Sequence, residues 1–480
     1  MINYGSKPNR RTTIQSDPPP KSLISACFLM LLAAFLGGCG KEEWHAPPFA
    51  STNELVIATV NGPTTFYEDS QGNYAGLEYD LANLFAQKIG MKAKFVLYAN
   101  REQIEDAVIH HKVHFGAAGL TIPPDGSPDL VYGPTYFGVI PRLVYNSSGP
   151  KPSGFESLSG KRIACIADPA IREIVSSLKQ KYPDVDFSEM KTESSDELLS
   201  SLSDGTTDYA IAYSNQIDIA AHFYPNIATA FDLAGPRRLS WEFPKDADPA
   251  LIRKVQDFFD GIEKDGTLQR LVDRYYGHIY RLDQVDIVSF LGSMDKELPP
   301  MISYFQEAES LTGIDWRLLA ALSYQESHWD PHATSPTGVR GIMMLTSDTA
   351  DRLNVSDRLD ARQSIVAGAR YFAKLKDSIP PEVKEPDRTW YALAAYNLGT
   401  AHLLDAMNLA KRLHKNPDSW VDLKDTLPLL SRSGYFSTLS HGFARGGEAV
   451  VMVANIRNFY DILGKYRQPS PPMLGANLLR

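Results

Sequence analysis

Short apolar blocks alternate with longer amphipathic stretches along the first half of the chain. Apolar blocks of this length indicate buried strands, whereas apolar residues spaced three and four apart indicate helices. The predicted strands are 55–60, 93–97, 163–166 and 209–212, and the predicted helices are 77–89, 103–111, 171–181, 196–202 and 251–262. This alternation predicts α/β units with parallel pairing, and the unit occurs twice, on either side of the polar stretch 147–159.

From Met301 onward the apolar spacing is helical almost throughout, and no run alternates like a strand for long. The predicted helices are 301–311, 315–326, 346–353, 361–376, 389–398, 401–413 and 446–463. The pattern therefore predicts a multidomain chain. An α/β part over 53–280 is followed by a linker at 281–300 and a mainly α part over 301–467.

The two ends of the chain have patterns of their own. Basic residues precede an apolar run at 23–36 that is too short to span a bilayer comfortably, so residues 1–38 are predicted to be a signal peptide. Residues 39–52 contain Pro47 and Pro48 and predict a short tether. The proline-containing stretch 468–480 predicts an irregular tail.

Composition narrows the class of protein. Of the 480 residues, 43% are hydrophobic and 22% charged, which is typical of globular domains with sizeable cores. The net charge of −9 argues against a nucleic-acid partner. Cysteines occur only at 27, 39 and 165, too few for a disulfide framework, and Cys165 lies in an apolar run typical of a buried strand.

Glu326 is the strongest candidate for chemistry. Leu319, Leu322 and Glu326 follow the spacing i, i+3 and i+7, so the carboxylate shares a helix face with leucines. Burial disfavours the charged form and raises the pKa, as a general acid near neutral pH requires. A lone Glu of this kind would more simply form a surface salt bridge, but the motifs around it favour the chemical interpretation.

Three ordered motifs resemble the lysozyme-like lytic transglycosylase domain. They are Glu326-Ser327, the run 335–343 (SPTGVRGIM) and the run 394–397 (AAYN). The resemblance implies a mainly α, lysozyme-like domain that cleaves peptidoglycan glycan strands between N-acetylmuramic acid and N-acetylglucosamine without a cofactor. It implies that Glu326 is the catalytic acid and base and that the product is a 1,6-anhydro sugar. The substrate contacts that it implies are Ser327, Ser335, Met344, Tyr396 and Asn397.

Most glycosidases use two carboxylates, whereas this sequence offers one good candidate. Asp330 is expected to face solvent, and Asp348 begins the next helix, a position typical of capping. One carboxylate fits a transglycosylase, in which the sugar's own 6-hydroxyl replaces water. Met344 and Met452 depart from the family, which often has Gln and Tyr there. A glycan-binding or sensing lipoprotein that does not cut, and a muramidase that uses water, therefore stay open as alternatives.

Residues 53–280 resemble the extracellular solute-binding domains that carry polar amino acids. The supporting runs are 76–81 (GLEYDL), 119–121 (GLT), 133–136 (GPTY) and 265–268 (DGTL). The resemblance implies two lobes with a ligand cleft between them, and Thr121 and Tyr213 are the candidate ligand contacts. The family's carboxylate-binding arginine has no counterpart between Arg101 and Arg142, and Tyr213 replaces its acidic residue. We therefore expect a muropeptide or other small ligand that is not a free amino acid, or no ligand at all.

The run 36–39 (LGGC) resembles the bacterial lipoprotein box, in which Cys39 becomes the lipidated first residue. The alternative is a plain signal peptide. Because Gly40 and not Asp follows Cys39, the resemblance implies a lipid anchor in the outer membrane, facing the periplasm. His110 and His114 have the i, i+4 spacing of metal ligands, but no third ligand is evident, so a solvated helix face is expected and no metal site.

Overall fold

The computed structural model describes residues 45–68, 73–190, 195–278, 282, 284–335 and 338–465. The predicted signal peptide, Cys39, most of the tether and the tail 468–480 lie outside the described residues, as do Pro336 and Thr337. Within the described part, the chain from Ala46 onward forms one compact unit. No helix in these ranges is both long and apolar enough to cross a membrane.

The front domain, residues 46–278, is the predicted α/β part. Its strands are β1 (Glu54–Thr59), β2 (Tyr67–Glu68), β3 (Tyr74–Ala75), β4 (Lys92–Leu97), β5 (Phe115–Gly116), β6 (Leu130–Tyr132), β7 (Phe137–Val139), β8 (Pro141–Asn146), β9 (Arg162–Ile166), β10 (Asp186–Met190), β11 (Tyr209–Tyr213), β12 (Ile227–Asp232), β13 (Arg237–Leu239) and β14 (Glu242–Pro244). Its helices are α1 (Leu77–Lys88), α2 (Arg101–Ile109), α3 (Pro169–Lys181), α4 (Ser195–Ser203), α5 (Ser214–Ala220), α6 (Pro249–Lys264) and α7 (Thr267–Tyr276). Every predicted strand and helix of this part is confirmed to within a few residues.

Among the described residues, two five-stranded sheets form two lobes, as the resemblance implied. The first has the order β4-β1-β5-β14-β6, and the second has the order β10-β9-β11-β8-β12. Parallel pairs lie at β1–β4, β1–β5, β9–β10 and β9–β11, but β14 and β8 join their neighbours antiparallel, so the sheets are mixed and not purely parallel.

The chain passes between the lobes through β7 and β13, which pair antiparallel. β8 already belongs to the second sheet, so the first lobe ends before the polar stretch 147–159 that the sequence suggested as the division. The chain returns to the first lobe at β14. Two crossings beside each other are the arrangement of a hinge between lobes, in which a few residues absorb the change of angle.

The helical domain, residues 284–465, follows. Its helices are α8 (Gln284–Lys296), α9 (Ile302–Thr312), α10 (Trp316–Ser327), α11 (Ser347–Arg352), α12 (Ala361–Ser378), α13 (Asp387–Leu398), α14 (Thr400–Arg412), α15 (Trp420–Thr426), α16 (Ser433–Phe436) and α17 (Gly446–Gly464). The predicted helices correspond to α9–α14 and α17. The short helices α15 and α16 were not predicted.

The predicted linker at 281–300 is wrong for most of its length, because α8 occupies it. Ile287, Phe290 and Met294 lie on one face of α8 and are buried in the core of the helical domain. The Phe290 ring lies 4.6 Å from that of Tyr324 on α10. Apolar residues at this spacing bury a helix face, so α8 is the first helix of the helical domain.

The two domains meet where α7 faces α15 and α17. The Asp273 carboxylate of α7 pairs with Lys424 and lies 3.5 Å from the Arg457 guanidinium. Arg457 Nη2 also donates to the Asp273 carbonyl at 2.8 Å, and Asn458 Nδ2 donates to the His278 carbonyl at 3.0 Å. Because these buried polar groups are paired across the boundary, the contact fixes one relative arrangement of the elements that meet there.

We predict that Phe290→Ala lowers the free energy of unfolding of the helical domain by about 3–5 kcal/mol, since it leaves a cavity in the core. Denaturant titration followed by tryptophan fluorescence measures this change. Val288→Ala is the matched control, because Val288 lies on the same helix and is 55% exposed; a change within about 0.5 kcal/mol is expected there. Equal effects of the two substitutions would contradict the assignment of α8 to the core.

Candidate active site

Glu326 lies in the last turn of α10. The helix begins at Asp315, whose carboxylate accepts a hydrogen bond of 2.8 Å from the Arg317 amide, as a helix N-cap does. The leucines of the helix are buried, as the spacing predicted. The helix ends at His328, which has a left-handed backbone conformation.

The Glu326 carboxyl is partly buried, and within the described ranges no side chain forms a hydrogen bond or ion pair with it. Burial raises its pKa from the ordinary 4.5 to about 7. Loss of hydration disfavours the carboxylate, and no cation nearby offsets this loss. The raised pKa predicted from the sequence is confirmed.

Two serines on α10 hold the turn at 341–345 against the helix. The Ser327 hydroxyl donates to the Ile342 carbonyl at 2.8 Å, and the Ser323 hydroxyl lies 3.2 Å from the same oxygen. Both serines are buried. The structure therefore gives Ser327, a predicted substrate contact, a bond to the protein backbone.

Tyr396 on α13 holds the same turn from the other side. Its hydroxyl donates to the Met343 carbonyl at 2.8 Å. Burial first, and then the nearby Glu326 charge, raise the pKa of Tyr396 well above its ordinary value. Tyr396 is therefore a neutral donor that lies close to Glu326. Its neighbour Asn397 is exposed at the end of the same helix.

The other predicted contacts lie in the loop before and within the turn. The Ser335 hydroxyl accepts from the Val339 amide at 3.3 Å, and Ser335 is half-buried. Met344 is half-buried and has a φ of 46°. The structure thus joins Ser327 and Tyr396 through one turn, and Tyr396 lies close to Glu326.

Two further residues fix the turn at 341–345, and the sequence analysis did not identify them. The Arg358 guanidinium donates to the carbonyls of Gly338 at 3.0 Å and Leu345 at 2.9 Å. The Ser364 hydroxyl accepts from the Met343 amide at 3.3 Å. Arg358 lies in a polar connection between helices, where no spacing or motif marks it, so only the folded chain reveals its role.

The two other carboxylates considered for catalysis are exposed. Asp330 accepts from the His332 amide at 2.9 Å in its own loop. Asp348 lies in the first turn of α11, but the cap of that helix is Thr346, whose hydroxyl accepts from the Thr349 amide. Asp348 therefore does not have the capping role that the sequence suggested. In the described part of the chain, no group of three His, Cys, Asp or Glu residues could hold a metal ion.

The candidate ligand residues of the front domain, Thr121 and Tyr213, come together between the lobes. The Tyr213 hydroxyl lies 3.4 Å from the Thr121 hydroxyl and donates to Asp168 at 2.7 Å. The sequence suggested a cleft without an arginine, but Arg101 lies there, buried against Asp168 and Glu242. These three residues were missed because they are distant in sequence and match no motif.

Two family descriptions match the chain. Residues 55–278 match bacterial extracellular solute-binding proteins, family 3, and residues 303–419 match the transglycosylase SLT domain. The first match covers most of the front domain, and the second contains Glu326, the turn and Tyr396.

Several proteins resemble this chain along nearly its whole length. A protein of Nitrosospira multiformis is 50% identical over 91% of this chain and 91% of its own. One of Methylobacillus flagellatus is 45% identical over 92% of this chain and 94% of its own, and one of Thiobacillus denitrificans is 40% identical over 93% and 94%. All three are named membrane-bound lytic murein transglycosylase F. The chain belongs to the membrane-bound lytic murein transglycosylase F family.

Proposed function

We propose that the helical domain cleaves the β-1,4 bond between N-acetylmuramic acid and N-acetylglucosamine in peptidoglycan, leaving 1,6-anhydro ends. The observation that carries this proposal is the state of Glu326. Its carboxyl has no partner among the described residues and a pKa of about 7, so it can give and accept a proton near neutral pH. Membership of the murein transglycosylase family supports the same substrate.

In the proposed reaction, protonated Glu326 gives its proton to the glycosidic oxygen as the bond from that oxygen to the anomeric carbon breaks. The resulting carboxylate then takes the proton of the sugar's 6-hydroxyl, whose oxygen attacks the anomeric carbon. Glu326 ends the cycle protonated, and no water is consumed. The substrate's acetamido group stabilises the positive charge that develops, which is why a second carboxylate is not required.

The roles of the neighbouring residues follow from their contacts. Ser327 and Tyr396 act as positioning residues, because their hydroxyls hold the carbonyls of Ile342 and Met343. Ser335, Met344 and Asn397 lie on exposed or half-buried stretches nearby and are proposed to contact the glycan. Met344 offers an apolar surface and no amide, so it changes the contacts to the glycan without changing the proton transfer.

We propose that the amino end anchors the protein to a membrane and that the front domain regulates the activity of the helical domain. Residues 1–38 would be removed, and Cys39 would carry the lipid that anchors the chain, through the tether 39–52, to the periplasmic face of the outer membrane. The relatives' common name, membrane-bound, supports an anchor. A muropeptide or other small ligand between the lobes, close to Thr121 and Tyr213, would tune turnover by the helical domain.

We predict that Glu326→Gln removes the anhydro-muropeptides that the wild-type protein releases from purified peptidoglycan, with a loss of turnover of at least about 100-fold, since the amide cannot transfer the proton. Mass spectrometry of the digest measures the products. Glu382→Gln is the control, because Glu382 is exposed in the same domain. Products one water heavier would indicate a muramidase, and retained glycan binding without products from wild type would indicate a non-cleaving protein.

We predict that kcat/KM falls by about tenfold per pH unit above about pH 7. The reason is the pKa of Glu326, raised by burial to about 7, so the proton-donating form is present below that pH and lost above it. Rates on soluble glycan strands between about pH 5 and pH 9 test this, with circular dichroism at each pH to exclude unfolding. A decline already centred near pH 4.5 would contradict a buried catalytic acid.

We predict that Tyr396→Phe lowers kcat by roughly tenfold with little change in KM, because a freed Met343 carbonyl lets the turn move relative to Glu326. Tyr371→Phe is the matched control, since the Tyr371 ring lies 5.4 Å from that of Tyr396. Steady-state kinetics on the same strands give the two constants. A rise in KM with kcat unchanged would assign Tyr396 to glycan binding and not to positioning.

A further inference from the structure

A buried guanidinium crosses from one lobe of the front domain to the other. Arg101 stands at the start of α2 in the first lobe, and 7% of its surface is exposed. A guanidinium has five N–H donors, and each of the five in Arg101 has an acceptor. The acceptors are the Glu105 carboxylate at 2.7 Å, the Thr121 hydroxyl at 3.1 Å, the Thr121 carbonyl at 2.9 Å, the Asp168 carboxylate at 3.0 Å and the Glu242 carboxylate.

One of these acceptors belongs to the second lobe. Asp168 caps α3, where its Oδ1 accepts from the Ile171 amide at 3.1 Å. Its Oδ2 receives both the Arg101 guanidinium and the Thr121 hydroxyl, each at 3.0 Å. Tyr213, at the end of β11, donates to Asp168 at 2.7 Å. Asp168 is therefore the residue of the second lobe to which Arg101 and Thr121 of the first lobe bind.

At this point the Arg101 guanidinium meets three carboxylates, those of Glu105, Asp168 and Glu242. Glu242 is fully buried, and the burial of its carboxyl raises its pKa to about 7 even with Arg101 beside it. Burial alone would lower the pKa of Arg101, but the carboxylates of Glu242 and Asp168 raise it. Removing one member of a buried ion pair leaves the other uncompensated, so the arrangement favours its own closure.

The space that remains around Arg101 and Asp168 is small. It is a cavity of about 90 Å³ with a mixed lining, in which Asn61, Asn100 and Asn215 lie beside apolar residues such as Leu77 and Leu120. Among its described lining residues, Arg101 is the one cationic side chain, and its N–H groups are all in use. The Asn215 side-chain oxygen is buried without a hydrogen-bond partner. A carboxylate that entered would meet Asp168 and no available cation.

We propose that Arg101 acts as a built-in ligand of the front-domain cleft, closing the two lobes on Asp168 without a bound molecule. A ligand carboxylate therefore finds no free cation in this cavity, and a molecule that enters at Asp168, a muropeptide included, must bring a cationic group that replaces the guanidinium. Closure of the lobes is the ground state of this chain. The inference concerns the front domain and does not depend on the reaction at Glu326.

Chemical rescue tests this proposal on the full chain in detergent. In Arg101→Ala, hydrogen–deuterium exchange over 118–124, 165–173 and 211–217 is expected to rise at least about tenfold, because the lobes separate and Asp168 loses its partner. Ethylguanidinium at millimolar concentration is expected to restore most of the protection, since it fills the vacated position with the same charge and donors. Urea, which is neutral and of similar shape, is expected to restore none.

Two further variants keep the result interpretable. Arg162→Ala removes an exposed guanidinium that pairs with Asp208 in the second lobe, and it should leave these segments unchanged. Asp168→Asn keeps an acceptor for the Ile171 amide but removes the charge, so exchange should rise without rescue by ethylguanidinium. Unchanged exchange in both Arg101→Ala and Asp168→Asn would overturn the proposal, as would equal rescue by urea and ethylguanidinium. If Arg101→Ala does not fold, hydrogen–deuterium exchange in Asp168→Asn alone tests the proposal: a rise supports it, and unchanged exchange overturns it.

Discussion

Two backbone carbonyl oxygens, those of Ile342 and Met343, hold the candidate active site together. Hydroxyls from α10 bind the first, and the Tyr396 hydroxyl from α13 binds the second. The turn can pack against the backbone of Arg358 only because residue 341 is glycine. Its φ is 81°, and a Cβ there would lie 1.8 Å from the Arg358 carbonyl. These hydrogen bonds fix the turn between α10, which carries Glu326, and α13.

The helix α17 connects this site to the front domain through neighbouring residues. Arg457 reaches the carbonyl and carboxylate of Asp273 on α7. Two residues later, the Phe459 ring lies 4.9 Å from that of Tyr324, which precedes Glu326 on α10. Contacts therefore run without a gap from the front domain to the helix that carries Glu326. For a ligand in the front domain to act along them, α17 must have two arrangements that differ in these contacts.

What the sequence predicted well depends on local spacing. The position of Glu326 on a leucine face is a matter of helical periodicity, and its raised pKa was predicted from that position together with the motifs around it. The pairing of β8 with β11 and β12 could not be predicted in this way, because tertiary packing selects strand partners. The stretch 281–300 was misjudged because the acidic residues and prolines around α8 resemble those of a linker, whereas only one face of the helix is buried.

The sequence could not predict the long-range polar contacts either, because tertiary packing decides which side chains meet. Nothing near Arg101 in the chain indicates that its partners are Asp168 and Glu242, because the three meet only when the lobes close. The turn-binding Arg358 is another case, since its acceptors are carbonyl oxygens that every residue carries. Motifs detect residues whose type is required for chemistry. They do not detect residues whose role depends on where the folded chain places them.

A raised carboxyl pKa does not by itself mark a catalytic acid in this chain. Burial raises the pKa of Glu78, but that carboxyl accepts hydrogen bonds from Tyr136, Trp241 and the Gly119 amide, so it is fixed in the core of the front domain. Glu242 has a pKa of about 7, as Glu326 does, but it is fully buried and binds Arg101. Glu326 differs because the residue is only partly buried and its carboxyl has no partner among the described residues. A proton can be exchanged with a substrate only where the carboxyl is both poorly hydrated and free to be reached, and Glu326 meets both conditions.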